Sequence, residues 1–222
     1  MKKAPTTFID AGMFESGIGQ VVIARYKGGD RVELGVFLVD VFCLGVKNAF
    51  FTQCHETELE GMLQRLFKGS RAMEEHTGAW GRKLMEGALE YARKLGFAPH
   101  RNYKKAARVM GGIDPNTCPE TFVFGKEGKP MFVAGPHENA ARCQLIMNVL
   151  MKKCGKDGFL YICPLGDTED GLLGEDEDEE EEEYEDGDDE EDGDDSHVRD
   201  LRSAIFDPRS LRPVSRRGAG GP

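Results

Sequence analysis

The chain has 222 residues, a formal net charge of −11 at pH 7, and charged side chains at 31% of its positions. This length allows one domain with a terminal extension, and such a domain buries enough surface to fold without a metal or a disulfide. The longest apolar stretch, residues 35–51, is interrupted by Asp40 and Lys47 and is too short for a membrane span. No apolar segment follows the two N-terminal lysines, so we expect no secretory signal and a cytoplasmic protein.

Strands are predicted first along the chain. Residues 1–17 are weakly patterned and are assigned to a leading segment. A β-branched run at 20–27, a Gly-Gly-Asp turn and an alternating run at 31–39 then predict two antiparallel strands. A single strand continuing to residue 52 would be too long, so the chain is predicted to bend near Asp40 and Gly45 and to form a third strand at 43–52.

Helices are predicted next. Amphipathic spacing predicts helices at 56–68 and 78–96, and a short third helix is predicted at 102–112. A hairpin at 120–126 and 129–135, a helix at 136–154 and a strand at 158–165 follow. Strands grouped before helices predict an α+β domain over 18–165, with a mostly antiparallel sheet packed by about four helices.

The acidic residues are concentrated near the C terminus. Residues 175–195 hold 18 of the 40 acids, whereas residues 1–174 hold 20 acids and 23 Lys and Arg. Like charges in a segment with few apolar side chains predict a disordered acidic linker at 166–198. Residues 199–222 are predicted to form a basic, mostly disordered tail, with arginines at Arg199, Arg202, Arg209, Arg212, Arg216 and Arg217.

The sequence has no motif for a cofactor. The six cysteines never form the paired short spacings of a zinc site, and are interpreted as free thiols. The glycine pairs lack both the P-loop lysine and the dinucleotide-binding spacing. We therefore expect no cofactor and no bound metal.

Two aspartates are weak catalytic candidates: Asp40, which ends a predicted strand, and Asp10, which follows the apolar pair Phe8–Ile9. Paired carboxylates can hold two metal ions for phosphodiester cleavage, so a metal-dependent phosphodiesterase or nuclease is one hypothesis. The alternative is simpler, because aspartate commonly bends the chain and accepts hydrogen bonds from its own backbone amides. We favour the turn for Asp40.

A second candidate is a concentration of positive charge between the second and third predicted helices. We call these residues the basic corner: Arg93, Lys94, Arg101, Tyr103, Lys104, Lys105 and Arg108. Lys104, Lys105 and Arg108 share one helix face at i, i+1 and i+4, so they can bind phosphates together, although a solvated helix face is the commoner meaning of such a cluster.

The acidic linker changes what the basic corner would do. A negatively charged segment tethered to the domain has a high effective concentration and would compete with a polyanion for the same cations. The leading hypothesis is therefore a non-catalytic module that binds a protein or a nucleic acid, with the acidic segment modulating the contact. No membrane partner is expected, and a role of the segment in solubility or spacing remains the alternative.

Three segments carry a resemblance to a known family: VFLVDVFCLGVKNAFF (36–51), ALEYARKLGFAPHRNYKKA (88–106) and FGKEGKPMFVAGPHE (124–138). Over about residues 18–140 the chain resembles a family of uncharacterised bacterial proteins. The resemblance implies a bacterial, cytoplasmic, compact domain, and it implies no activity and no catalytic residues. The acidic linker and the arginine-rich tail lie outside it.

Overall fold

A five-stranded antiparallel sheet forms the centre of the structure, with the spatial order β4-β3-β2-β1-β5. The computed structural model describes residues 3–70, 72–135 and 138–163, so the predicted acidic linker and basic tail lie outside the described residues. The strands are β1 (Thr6–Asp10), β2 (Ile18–Tyr26), β3 (Arg31–Asp40), β4 (Gly45–His55) and β5 (Met73–Thr77). Together with the helices, this sheet confirms the predicted α+β class.

The predicted three-stranded meander is confirmed as β2, β3 and β4, which pair antiparallel in sequence order. The register shifts between Leu38 and Val39, just before the turn at residues 41–44. Strands β1 and β5 were not predicted. Strand β1 lies within the leading segment 1–17 and pairs with both β2 and β5, so this segment contributes an interior strand of the sheet.

Helices cover both faces of the sheet. They are α1 (Met13–Ser16), α2 (Leu59–Leu66), α3 (Gly78–Leu95), α4 (Tyr103–Ala106) and α5 (Ala140–Cys154). Helix α3, α4 and a following 3-10 helix, Ala107–Met110, pack on the face that presents Ile23 and Phe37, whereas α2 packs on the face that presents Val22 and Val36. The helix predicted at 102–112 is therefore two short helices of different type.

The predicted hairpin at 120–126 and 129–135 is wrong. Residues 120–124 form no strand, and only one isolated bridge joins Lys126 and Lys129. Instead, β6 (Met131–Val133) pairs in parallel with β7 (Leu160–Ile162), and α5 connects them. The final strand predicted at 158–165 is thus present in shorter form, with a parallel partner.

A third cluster of buried side chains surrounds α5. It contains Phe132 from β6, Ile146 and Leu150 from α5, and Leu95 from the end of α3. Because α5 packs beside the last turn of α3, it approaches the basic corner. Within the described ranges, no helix is both long enough and apolar enough to cross a membrane.

Candidate functional site: the basic corner and the Asp40 turn

The end of α3 and the start of α4 are fixed by backbone contacts. Gly96 takes a left-handed φ of 97° and ends α3, so the chain turns there, and the Phe97 N–H donates to the Ala92 carbonyl at 2.9 Å. The His100 N–H then donates to the Val46 carbonyl of β4 at 2.9 Å. The loop that carries Arg101 is therefore held against the sheet.

Helix α4 packs closely on β3 because a glycine faces it. A Cβ added to Gly35 would lie only 2.7 Å from the Ala106 carbonyl oxygen, so a larger residue would push α4 away from the sheet. Ala106 is fully buried in this contact, whereas Lys104 and Lys105 are exposed on the opposite side of the same short helix. The close packing turns both lysines toward solvent.

Tyr103 has a supporting role. Its ring lies 6.0 Å from that of Phe37 in the core, and burial raises the pKa of its hydroxyl, with nearby Glu86 adding to the rise. The positive charge of Arg93 opposes this rise in pKa. Of the seven residues predicted for the basic corner, Tyr103 packs inward, and the six cations are exposed.

Among the described residues, most of these cations have no carboxylate partner. Lys94 pairs with Glu90 at 2.7 Å. Within residues 3–70, 72–135 and 138–163, no ion pair is formed by the other five, which are Arg93, Arg101, Lys104, Lys105 and Arg108. The six predicted cations are thus exposed, and five of them form no ion pair within the described residues.

Two cations beside this surface were missed by sequence reasoning. Arg25 on β2 donates from Nη1 to the Arg108 carbonyl at 3.5 Å. The Cε atom of Lys153, on α5, lies 3.5 Å from where a Cβ on Gly96 would stand. Both residues are far from residues 93–108 in sequence, so no local spacing connects them with the corner. They extend the positive surface onto neighbouring elements.

The structure confirms Asp40 as a turn residue. The N–H groups of Phe42 and Cys43 both donate to its Oδ1 at 2.9 Å, and the side chain is 6% exposed. Burial raises the pKa of the carboxyl to about 6, because charge is costly away from water. Lys47 and the backbone N–H groups of Leu44, Cys43 and Phe42 act in the opposite direction and only partly offset burial.

Asp10 does not join Asp40 in a shared site. Strand β2 lies between their strands, which places their backbones roughly 10 Å apart, since neighbouring strands are about 4.8 Å apart. Each carboxylate is engaged locally, because Asp10 Oδ1 accepts from the Gly12 N–H at 3.0 Å. Among the described residues, no group of three or more His, Cys, Asp and Glu side chains is placed to hold a metal ion.

A buried ion pair lies near the Asp40 turn. Lys47 Nζ is 2.6 Å from Glu138 Oε1, and the two side chains are only 18% and 13% exposed. Glu138 Oε2 accepts from the Gly135 N–H. The pair therefore joins β4 to the segment before α5, with each charge compensated by the other.

No protein-family model, curated protein or solved structure matches this chain. The resemblance to uncharacterised bacterial proteins stays an expectation from the three quoted segments. The assignment of function therefore depends on the geometry of the surfaces described above.

Proposed function

We propose that this protein is a non-catalytic interaction module that binds an anionic macromolecule, a nucleic acid or an acidic protein, through the basic corner. The observation that carries the proposal is that five cations between residues 93 and 108 are exposed and form no ion pair within the described part of the chain. Like charges that lie close together repel one another, and an anion that binds them relieves this repulsion. A polyanion that contacts several of the cations at once therefore binds with a more favourable free energy.

The structure of this surface favours contacts with phosphate or carboxylate groups over sequence-specific contacts with nucleic-acid bases. Helix α4 has only four residues, which is too short to lie along a DNA groove, and Tyr103 packs inward where it cannot stack on a base. We therefore expect binding that depends weakly on nucleotide sequence and strongly on salt. Five phosphate contacts would give a slope of log K against log salt of about −4 to −5 on duplex DNA.

The acidic segment is proposed to tune this contact. Residues 175–195 carry 18 acids on the same chain, a charge pattern that competes with a polyanion for the corner. Removing that segment should strengthen polyanion binding at low salt, where electrostatic competition is least screened. If the segment only aids solubility, its removal would leave the affinity for the polyanion unchanged.

The experiment compares two charge-matched double variants of the full chain. K104Q/R108Q removes one lysine and one arginine from the basic corner, and R65Q/K68Q removes the same charges at the end of α2, which packs on the other face of the sheet. Fluorescence anisotropy with a random-sequence DNA duplex and with fluorescent heparin measures binding across a salt series.

We expect K104Q/R108Q to lower the salt slope by about 2, since each lost phosphate contact changes it by about 1, and R65Q/K68Q to leave it unchanged. Equal losses in the two variants would show that only net charge matters, and the proposed surface would be wrong. Discrimination among duplex sequences by more than about tenfold would contradict backbone-only contacts.

A further inference from the structure

Four of the six cysteines belong to one region of the fold. Cys43, Cys143, Cys154 and Cys163 all lie in or against the buried cluster around α5, and all are free thiols. The other two, Cys54 and Cys118, are buried in the separate clusters on the two faces of the sheet. Cys143 and Cys154 lie on α5 and Cys163 follows β7, whereas Cys43 is distant from all three in sequence.

Within that cluster, backbone topology brings Cys143 and Cys163 together. The Ala134 N–H donates to the Ile162 carbonyl at 2.8 Å, which places the end of β7 beside the segment that leads into α5. Cys143 lies in the first turns of α5, and its Sγ is 3.9 Å from the Glu138 carbonyl of that segment. Cys163 follows β7 directly, and it packs against the same buried cluster that contains Cys143.

The two thiols differ in access to solvent. Cys163 is partly exposed, whereas Cys143 is 7% exposed behind it. A small reagent can therefore reach Cys163 first, and Cys143 can then act only on what has formed at Cys163. A solvent-accessible thiol beside a second thiol that can resolve a mixed disulfide is an arrangement found at redox-sensitive cysteines.

We propose that Cys143 and Cys163 form a disulfide modification site that reacts with a low-molecular-weight disulfide such as oxidised glutathione. The Cys163 thiolate attacks one sulfur of the reagent, which forms a mixed disulfide and releases one glutathione thiolate. The Cys143 thiolate then attacks Cys163 Sγ, which forms the protein disulfide and releases the second glutathione. The two protein thiols lose two electrons to the reagent, and their protons pass to solvent.

The bond would close the loop between α5 and the end of β7, and it would attach Cys163 covalently to the helix. The reaction should be slow at neutral pH. Burial, chiefly, and the neighbouring Cys143 raise the pKa of the Cys163 thiol to about 11, so little thiolate is present near pH 7. The initial rate should therefore rise by up to about tenfold per pH unit between pH 7 and pH 9.

The test incubates the full chain with excess oxidised glutathione and follows the intact mass after acid quenching. Trypsin cleavage after Arg142, Lys152, Lys153 and Lys156 places Cys143, Cys154 and Cys163 on separate peptides, so the bridge can be assigned by mass. We expect the chain to lose the mass of two hydrogens and to yield the linked Cys143–Cys163 peptides. The control variant C54S should react identically, because Cys54 lies in another cluster.

Single substitutions separate the two steps. C143S should accumulate a stable glutathione adduct at Cys163, and C163S should form no bridge. The wild-type experiment needs no substitution, so a variant that fails to fold does not remove the test. A wild-type chain that retains a glutathione adduct at Cys163 without closing, or that forms its bridge between other cysteines or between molecules, would overturn the proposal.

Discussion

Replacement of the buried carboxyl of Asp40 by an amide tests the electrostatic account of the turn. In D40N the amide oxygen can still accept from the N–H groups of Phe42 and Cys43, because both of those bonds end on the single atom Oδ1. The charge, however, is gone. In D40A both the charge and the acceptor are lost, so comparing the two variants separates the cost of burying the charge from the value of the hydrogen bonds.

The magnitude follows from the pKa. Asp40 has a pKa of about 6 in the folded chain against an ordinary value of 3.8, so the folded state holds the proton more tightly than the unfolded state does. The associated stability is fully present below pH 4 and is lost as the pH rises through 6. Two pKa units correspond to roughly 3 kcal/mol. D40N avoids this loss, so it should exceed wild type by about 2–3 kcal/mol at pH 8 and match it at pH 4.

Urea unfolding at several pH values between 4 and 8 measures these differences, and the single tryptophan, Trp80, is buried and serves as the fluorescent probe. D40A should be less stable than D40N at every pH by about 2 kcal/mol, since two buried amides lose their acceptor. If D40N is destabilised at pH 8 as much as D40A, the carboxylate is favoured in the folded state, and the reasoning from burial is refuted.

Two further predictions concern packing and the buried ion pair. G45A should lose about 2–4 kcal/mol of unfolding free energy in the same assay, because Gly45 has a φ of 67° and an added Cβ would lie 2.7 Å from Ala92 Cβ. G28A, where an added Cβ meets nothing within 4 Å, should change stability by less than about 0.5 kcal/mol, and equal losses would contradict the packing argument. K47M should cost about 3 kcal/mol by leaving Glu138 charged and unpaired, and K47M/E138Q should recover most of that loss. A double variant no more stable than K47M would show that unpaired charge is not the cause.

Local patterns were enough to predict the meander and the Asp40 turn. Alternation over residues 31–39 specified a strand directly, and the length limit on strands required a bend near Asp40. The six cations of the basic corner are close in sequence, and all six are exposed in the structure. Strands β1 and β5 have only five residues each. They form because β1 pairs with β2 and with β5, and these partners are distant in sequence, so a short window of sequence does not predict them.

The wrong hairpin has a specific physical cause. Phe122 and Phe124 alternate as a strand would, but their rings pack on α3, with Phe122 4.9 Å from Trp80 and Phe124 5.6 Å from Tyr91. Val123 between them is exposed. The apolar alternation therefore reflects packing of an extended segment against a helix. The parallel pairing of β6 and β7 across α5 and the approach of Arg25 and Lys153 to the corner depend on tertiary contacts in the same way.

The most direct test of the proposed function is a thermodynamic cycle on heparin affinity at low salt. Its four proteins are the full chain, the chain lacking residues 175–222, and each of these with K104Q/R108Q. The account predicts that the truncation strengthens binding in the wild-type background and that most of this gain disappears when Lys104 and Arg108 are neutral, since the acidic segment and heparin then no longer compete for those cations. The same gain in both backgrounds, or no gain in either, would contradict it.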